Sequence, residues 1–303
     1  MRRIKSTSKN QADTVGKQRI LEVKNKQTLE MKRNVEQYSE PGASSWLNAL
    51  PLSKYGLNLN KGEFNDALCL RYNKTIKNLP TVCPCSKKFT VTHALNCHLG
   101  GFVNARHNNI RDFEAELLKN VCNDVQIEPP LQNTNGSALN HGANSKDDAR
   151  LDIRARGFWR DGQNAYFDVC VTNADCASQI HTSIKSVLRK HEAKKKCMYN
   201  RRIMQIEHGT MTPLIFTTTG VMSQECSKYH KALAEKISDK KGDRYEDVMR
   251  YIRIKTSFLA VKATLLCLRG SRSIRKPEIG DDFGLNLQEL GLQDRFKMFA
   301  KKV

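Results

Sequence analysis

The sequence has no apolar run long enough to cross a bilayer, which sets aside an integral membrane protein. Arg2-Arg3-Ile4-Lys5 is not followed by an apolar stretch, so no secretory leader is expected. Internal repeats are absent. Acidic residues are scarce relative to basic ones: 31 Asp and Glu face 51 Lys and Arg, a formal net charge of +20. That excess points to a polyanionic partner, DNA first and RNA second, rather than to a membrane surface. Cysteine is plentiful, with ten residues, but seven of them are scattered singly. A chain of 303 residues, 39% apolar, can build a core without disulfide staples. Free thiols fit a reducing compartment, the nucleus first and the cytoplasm second.

The remaining three cysteines are grouped. Cys83, Cys85 and Cys97 share one short stretch with His93, and His98 follows at once. Three thiolates and one imidazole are the set that holds tetrahedral zinc, with His93 or His98 as the fourth ligand. Phe89, Val91 and Leu95 between them offer a small core. Cys83-Pro84-Cys85 is tighter than the usual Cys-x-x-Cys turn.

Periodicity divides the rest. Residues 1–40 read as a basic arm, helical or flexible, residues 41–80 as a helical lead-in and 81–105 as the zinc knuckle. Residues 106–270 read as an α/β core with C-terminal helices, and 271–303 as a polar tail. Ile110, Phe113, Leu117, Leu118 and Val121 form the stripe of a helix over 108–121. Glu114 falls inside that stripe, where a carboxylate is costly unless paired or metal-bound. Val125 to Pro130, Arg150 to Ala155 and Tyr166 to Val171 read as strands, the last two joined by a hairpin turn through Gly157 and Gly162. A helix is expected from Ile180 to Arg202, a strand over 213–219, and helices over 222–238 and 244–268.

Asp152 and Asp168 alternate with apolar neighbours, so both point away from the apolar face of the two strands. Paired carboxylates suit Mg²⁺, a hard cation that keeps waters and accepts phosphate oxygens. Lys195 stands in the apolar arc of its helix with Tyr199 one turn on. Arg106-His107-Asn108 precedes the Glu114 helix and is expected to contribute to nucleic-acid binding. Lys185, Arg189, Lys190, Lys194, Lys196, Arg201 and Arg202 form a basic surface that could neutralise phosphates.

The joint order of these pieces resembles the PD-(D/E)XK restriction-like endonuclease found at the C-terminus of site-specific non-LTR retrotransposon polyproteins. The pieces are Cys83, Cys85, His93 and Cys97, then Arg106-His107-Asn108, Glu114, Asp152, Asp168 and Lys195-x-x-x-Tyr199. The resemblance covers about residues 80–220. It implies a mixed sheet flanked by helices, preceded by the knuckle and a helical N-terminal segment. It also implies Mg²⁺-dependent nicking of DNA, with Asp152 and Asp168 on the metal, Glu114 assisting, and structural zinc in the knuckle. Element RNA would be a second partner.

Two departures stand out. Leu151 replaces the proline before the first acid, and Cys170 replaces the lysine two residues after the second. Lys195 is the residue expected to supply the missing ammonium from its helix. The rival expectation is a catalytically inactive nucleic-acid-binding zinc protein derived from the same element. No Tyr-x-Asp-Asp signature occurs, so the chain is not expected to be a complete retroelement polyprotein.

Overall fold

The computed structural model describes residues 14–16, 18–19, 21–22, 28–134 and 141–272. Half of the expected N-terminal arm, six residues of the polar loop and nearly all of the expected tail lie outside them. In chain order the elements are α1 (Leu29–Ser39), short 3₁₀ turns at Ser45–Asn48 and Ser53–Tyr55, α2 (Lys61–Arg71), α3 (Val91–Asn96) and α4 (Phe102–Lys119). Then come β1 (Val125–Ile127), β2 (Ile153–Arg156), β3 (Asn164–Thr172), α5 (Ile184–Gln205), β4 (Thr210–Thr217), α6 (Gln224–Lys241) and α7 (Tyr245–Arg269). The α/β class read from the sequence is observed. Among the described residues no helix is long and apolar enough to cross a membrane.

The sheet has the order β1-β2-β3-β4. The first three strands pair antiparallel, and β4 joins β3 in parallel. A parallel pair needs a crossover, and α5 supplies it. One face of the sheet packs Phe167, Val169, Leu214 and Phe216 against α4, α6 and α7. The other face is covered by α5. Val187 and Leu188 meet Ile215 there, and Tyr199 and Ile203 meet Tyr166 and Met211. Strand β3 is therefore central, with both faces covered from Ala165 to Val169. Asp168 sits in this covered stretch, on the α5 side.

Local chemistry fixes the helix ends. Asn60 and Glu63 form a reciprocal capping box on α2. Ser183 and Ser223 cap α5 and α6 by accepting from backbone amides one turn on, and Gly242 closes α6 in the left-handed conformation. Thr28 caps α1, whose Arg33 is buried and donates to the carbonyls of Ala174 and Thr182 and to Asp175. The last turns of the expected arm are thus a docked helix.

Two differences from the sequence reading matter for the site. Helix α4 starts at Phe102, not near Asn108, because Gly100 and Gly101 both take positive φ and turn the chain straight into it. Arg106-His107-Asn108 therefore lies within the helix. Strand β2 starts at Ile153, so Asp152 stands at its entrance; Leu151, Ile153 and Ala155 are buried as their alternation requires. Strand β1 ends at Ile127, where Glu128 takes a φ of 52°, although Pro130 still bridges Arg150.

Candidate functional site

The Cys–His cluster, at the place of the expected knuckle, is built from one short piece of chain. Cys83 and Cys85 lie on a tight turn closed by Cys83 N donating to Lys87 O at 2.9 Å and Ser86 N to Cys83 O at 2.8 Å. Thr90 caps α3 by accepting from His93 N at 3.0 Å, which sets the imidazole facing the turn, and Cys97 ends that helix. Cys83 Sγ is 3.8 Å from Cys97 Sγ, Cys85 Sγ is 3.3 Å from His93 Nε2, and Cys97 Sγ is 4.0 Å from Cys85 Sγ. All four ligand atoms lie within 4.8 Å of one another. Zinc–sulfur bonds of about 2.3 Å in a tetrahedron put sulfurs about 3.8 Å apart, so the cluster could hold zinc with little movement. His98 is exposed and outside the cluster, which leaves His93 as the fourth donor. Burial, with Arg272 and Lys87 nearby, holds His93 below its ordinary value and so in the neutral form that a metal needs. Burial pushes the Cys83 thiol up, while the Lys87 amide draws Cys85 down.

The knuckle is fastened to the rest of the protein. Cys83, Phe89, Ala94 and Cys97 pack with Leu268 of α7, and Leu95 packs with Phe102 and Cys267. Arg106, only 2% exposed, donates from Nη1 to Leu95 O at 3.2 Å. Its guanidinium ties α3 to α4 and is not offered to a phosphate, which corrects its expected place on a nucleic-acid surface.

The second cluster is assembled from distant elements. The β2–β3 register pairs Ile153 with Phe167, so one step back sets Asp152 opposite Asp168 on the same face. Asp152 Oδ2 accepts from Val169 N at 2.6 Å. From α4, His107 Nε2 lies 3.2 Å from Asp152 Oδ2 and 3.1 Å from Val169 O. Both neighbours are acceptors, so Nε2 carries the proton. From α5, Lys195 Nζ lies 2.8 Å from Asp168 Oδ2, with Lys195 about a quarter exposed and Asp168 buried. The carboxylate pair thus has a separate cationic or donor group from each of two helices.

Burial, and then the charge of Asp152, drive the Asp168 carboxyl up to about 7 against the opposing pull of Lys195. Asp152 moves the other way: burial opposes, but His107, Asp168 and the Val169 amide hold it below the usual carboxylate range. His107 is raised in spite of its burial, by Asp152 first. Lys195 is raised, burial being outweighed by Asp168. Cys170 is pushed up by burial and stays a neutral thiol, 3.9 Å from His191 Nδ1.

The other expected site residues are dispersed. Glu114 is fully buried and pairs with His230 Nε2 at 2.9 Å. The carboxylate in the apolar stripe has its partner on α6. Tyr199 packs in the core under α5 and accepts from Asn144 Nδ2 at 3.3 Å, its ring 6.0 Å from Lys195 Nζ. Arg202 is fully buried and donates to the carbonyls of Asn144, Lys146 and Gln132. It secures a loop and, like Arg106, is not a surface cation. Lys196 pairs with Glu225, and Arg201 with Gln205. Lys185, Arg189, Lys190, Lys194 and Asn108 are exposed.

Sequence reasoning missed His230 and the inward turn of His107. Only the cost of an unpaired Glu114 hinted at the first; the phase of a longer α4 would have given the second. Two clefts, of about 310 and 340 Å³, lie elsewhere, the first walled by Tyr38, Trp46 and Asp175, the second by Leu188 and Met222. Neither includes Asp152 or Asp168 among its walls. No family model matches the sequence, and no curated protein matches it significantly.

Proposed function

We propose that the chain is a Mg²⁺-dependent DNA endonuclease of the restriction-like kind, related to the C-terminal nuclease of non-LTR retrotransposons and acting in the nucleus. The observation that carries this reading is the ammonium of Lys195 on Asp168 beside Asp152. The position where a lysine is expected holds Cys170, a neutral thiol, and the charge arrives from α5 instead. The order of elements supports the same reading: a helix, three antiparallel strands, a crossover helix and a parallel strand. The PD-(D/E)XK resemblance implies that order.

The residues fit a divalent cation. Asp152 and Asp168 stand opposite each other on one face of β2 and β3, two hard oxygen donors of the kind such a cation takes. Asp152 and Asp168 would hold Mg²⁺, which when bound makes a water more acidic and offsets charge on a scissile phosphate. Lys195 would hold a phosphate oxygen at the same point. Exposed Lys185, Arg189, Lys190 and Lys194 would bind neighbouring phosphates without reading sequence, on DNA or on element RNA. The zinc knuckle has a structural part, fastening α3 to α4 and α7.

The test is nicking of supercoiled plasmid with Mg²⁺. Wild type should nick, Asp152→Ala and Asp168→Ala should not, and Lys195→Ala should fall on the order of a hundredfold, the scale of losing one charge-stabilising donor. Equal background from all four proteins would leave the second reading, a catalytically inactive nucleic-acid-binding protein. Cys170 and the placement of His107 against Asp152 favour that alternative.

A further inference from the structure

Arg106-His107-Asn108 enters a nucleic-acid reading as a basic motif, yet its three side chains part company. Arg106 is buried under the knuckle helix and Asn108 is in solvent. His107 turns inward and puts one N–H against two oxygens, Asp152 Oδ2 at 3.2 Å and Val169 O at 3.1 Å. A small hard cation bound to Asp152 Oδ2 would stand about 2.1 Å from it. That point lies inside the gap Nε2–H now spans.

We propose that His107 is a stopper: its Nε2–H fills the cation position next to Asp152, and a divalent cation enters only as the imidazole swings out. This rests on the reading that Asp152 and Asp168 hold such a cation. Three features favour displacement of His107 over a fixed structural role. Its side chain is 30% exposed, so it has solvent to move into. Its other nitrogen meets only Asn108 Oδ1, at 3.4 Å, on the exposed side of the helix. The anchoring of this part of α4 comes instead from the neighbouring Arg106 and from Ile110, both buried. Lys195 differs, because its ammonium pairs with Asp168 Oδ2 rather than with Asp152. The resting protein would therefore keep its acid pair covered, and the cation would have to compete with a charge-assisted hydrogen bond.

The measurement is Mn²⁺ affinity of the zinc-loaded full chain, read from the electron paramagnetic resonance signal of free Mn²⁺. His107→Ala should bind Mn²⁺ on the order of tenfold more tightly than wild type, the scale of one hydrogen bond to a charged group. His107→Gln keeps an amide N–H at similar reach without a charge and should stay near wild type. Asp152→Asn should weaken binding in every background. Circular dichroism and melting of each variant confirm the fold.

Unchanged affinity in His107→Ala would overturn the stopper and leave the cation site standing. Weaker affinity would overturn it by making His107 a ligand. If His107→Gln binds as tightly as His107→Ala, the effect is one of charge and the stopper falls. Absence of Mn²⁺ binding in every protein, insensitive to Asp152→Asn, would sink both the stopper and the nuclease reading beneath it.

Discussion

The two clusters solve the same problem in opposite ways. The four knuckle ligands come from one run of chain between Cys83 and Cys97, and a capped turn of helix aims the imidazole. The acid pair draws Asp152 and Asp168 from two strands, His107 from α4 and Lys195 from α5. The first cluster could hold a metal, which would offset its packed thiolates. The second already carries internal counter-charges and is held by the tertiary fold. A local cluster is therefore expected to be strong in its metal and weak in its packing, and a distributed one the reverse.

Removing zinc gives the largest expected effect. Structural zinc in small modules contributes about 10 kcal/mol or more to folding. Elemental analysis should find one zinc per chain. Cys97→Ser should lose the metal and expose the knuckle to proteolysis, while β3 and β4 stay protected from hydrogen exchange. Full zinc content in Cys97→Ser would break the comparison.

Next is Lys195→Ala, which strands a buried Asp168. Removing one partner of a buried pair costs about 3–5 kcal/mol, and the loss should show in urea unfolding at pH 8. Adding Asp168→Asn should return most of it. Equal stability of the single and double variants would mean that the ammonium does not support the acid.

A smaller effect concerns pH. The Asp168 carboxyl is raised from the ordinary 3.8 to about 7, so between those values the folded protein binds more proton than the unfolded chain. Stability from this group is greatest below about pH 4 and falls as pH rises through 7. His107, raised above its ordinary value, adds a loss in the same direction on the alkaline side. Asp152, lowered, loses stability only in acid. Without added magnesium, the melting temperature should fall from pH 5.5 to pH 8.5. Asp168→Asn should flatten that fall, by on the order of 1–3 kcal/mol at the alkaline end. A parallel fall in the variant would place the titration elsewhere.

The smallest effect is on the α5 surface. Changing Lys185, Arg189, Lys190 and Lys194 to Gln should leave melting within about 0.5 kcal/mol of wild type. The salt slope of DNA binding should flatten by about 0.9 for each phosphate that the variant no longer neutralises. The same slope in both proteins would move the nucleic-acid surface off α5.

What the sequence disclosed follows this division. The Cys–His cluster was legible because ligand spacing is local. The alternation around Asp152 and Asp168 disclosed their common face, because a strand has only two. Lys195 was legible as a charged residue in an apolar arc, though its partner was an inference from spacing. Arg106 and Arg202 read as basic surface, yet each is buried on backbone carbonyls. Nothing local distinguishes an arginine that meets solvent from one that meets a loop folded back from far along the chain. Glu114 was flagged by its cost, but its partner His230 lies 116 residues away. His107 was misread because the start of α4 was placed too late, and a helix turns each successive side chain by about 100°.

The cation of the acid pair is borne on a helix instead of a strand, and that changes what the chain tolerates. A strand-borne lysine keeps its aim as long as the parity of the strand holds. Lys195 takes its aim from rotational phase. One alanine inserted between Glu192 and Lys195 would turn the ammonium about 100° around α5, while four would bring it back to within about 40° one turn further along. The length of α5 ahead of Lys195 is thus quantised in whole turns, a constraint on spacing added to the one that burial places on Ile184, Val187 and Leu188.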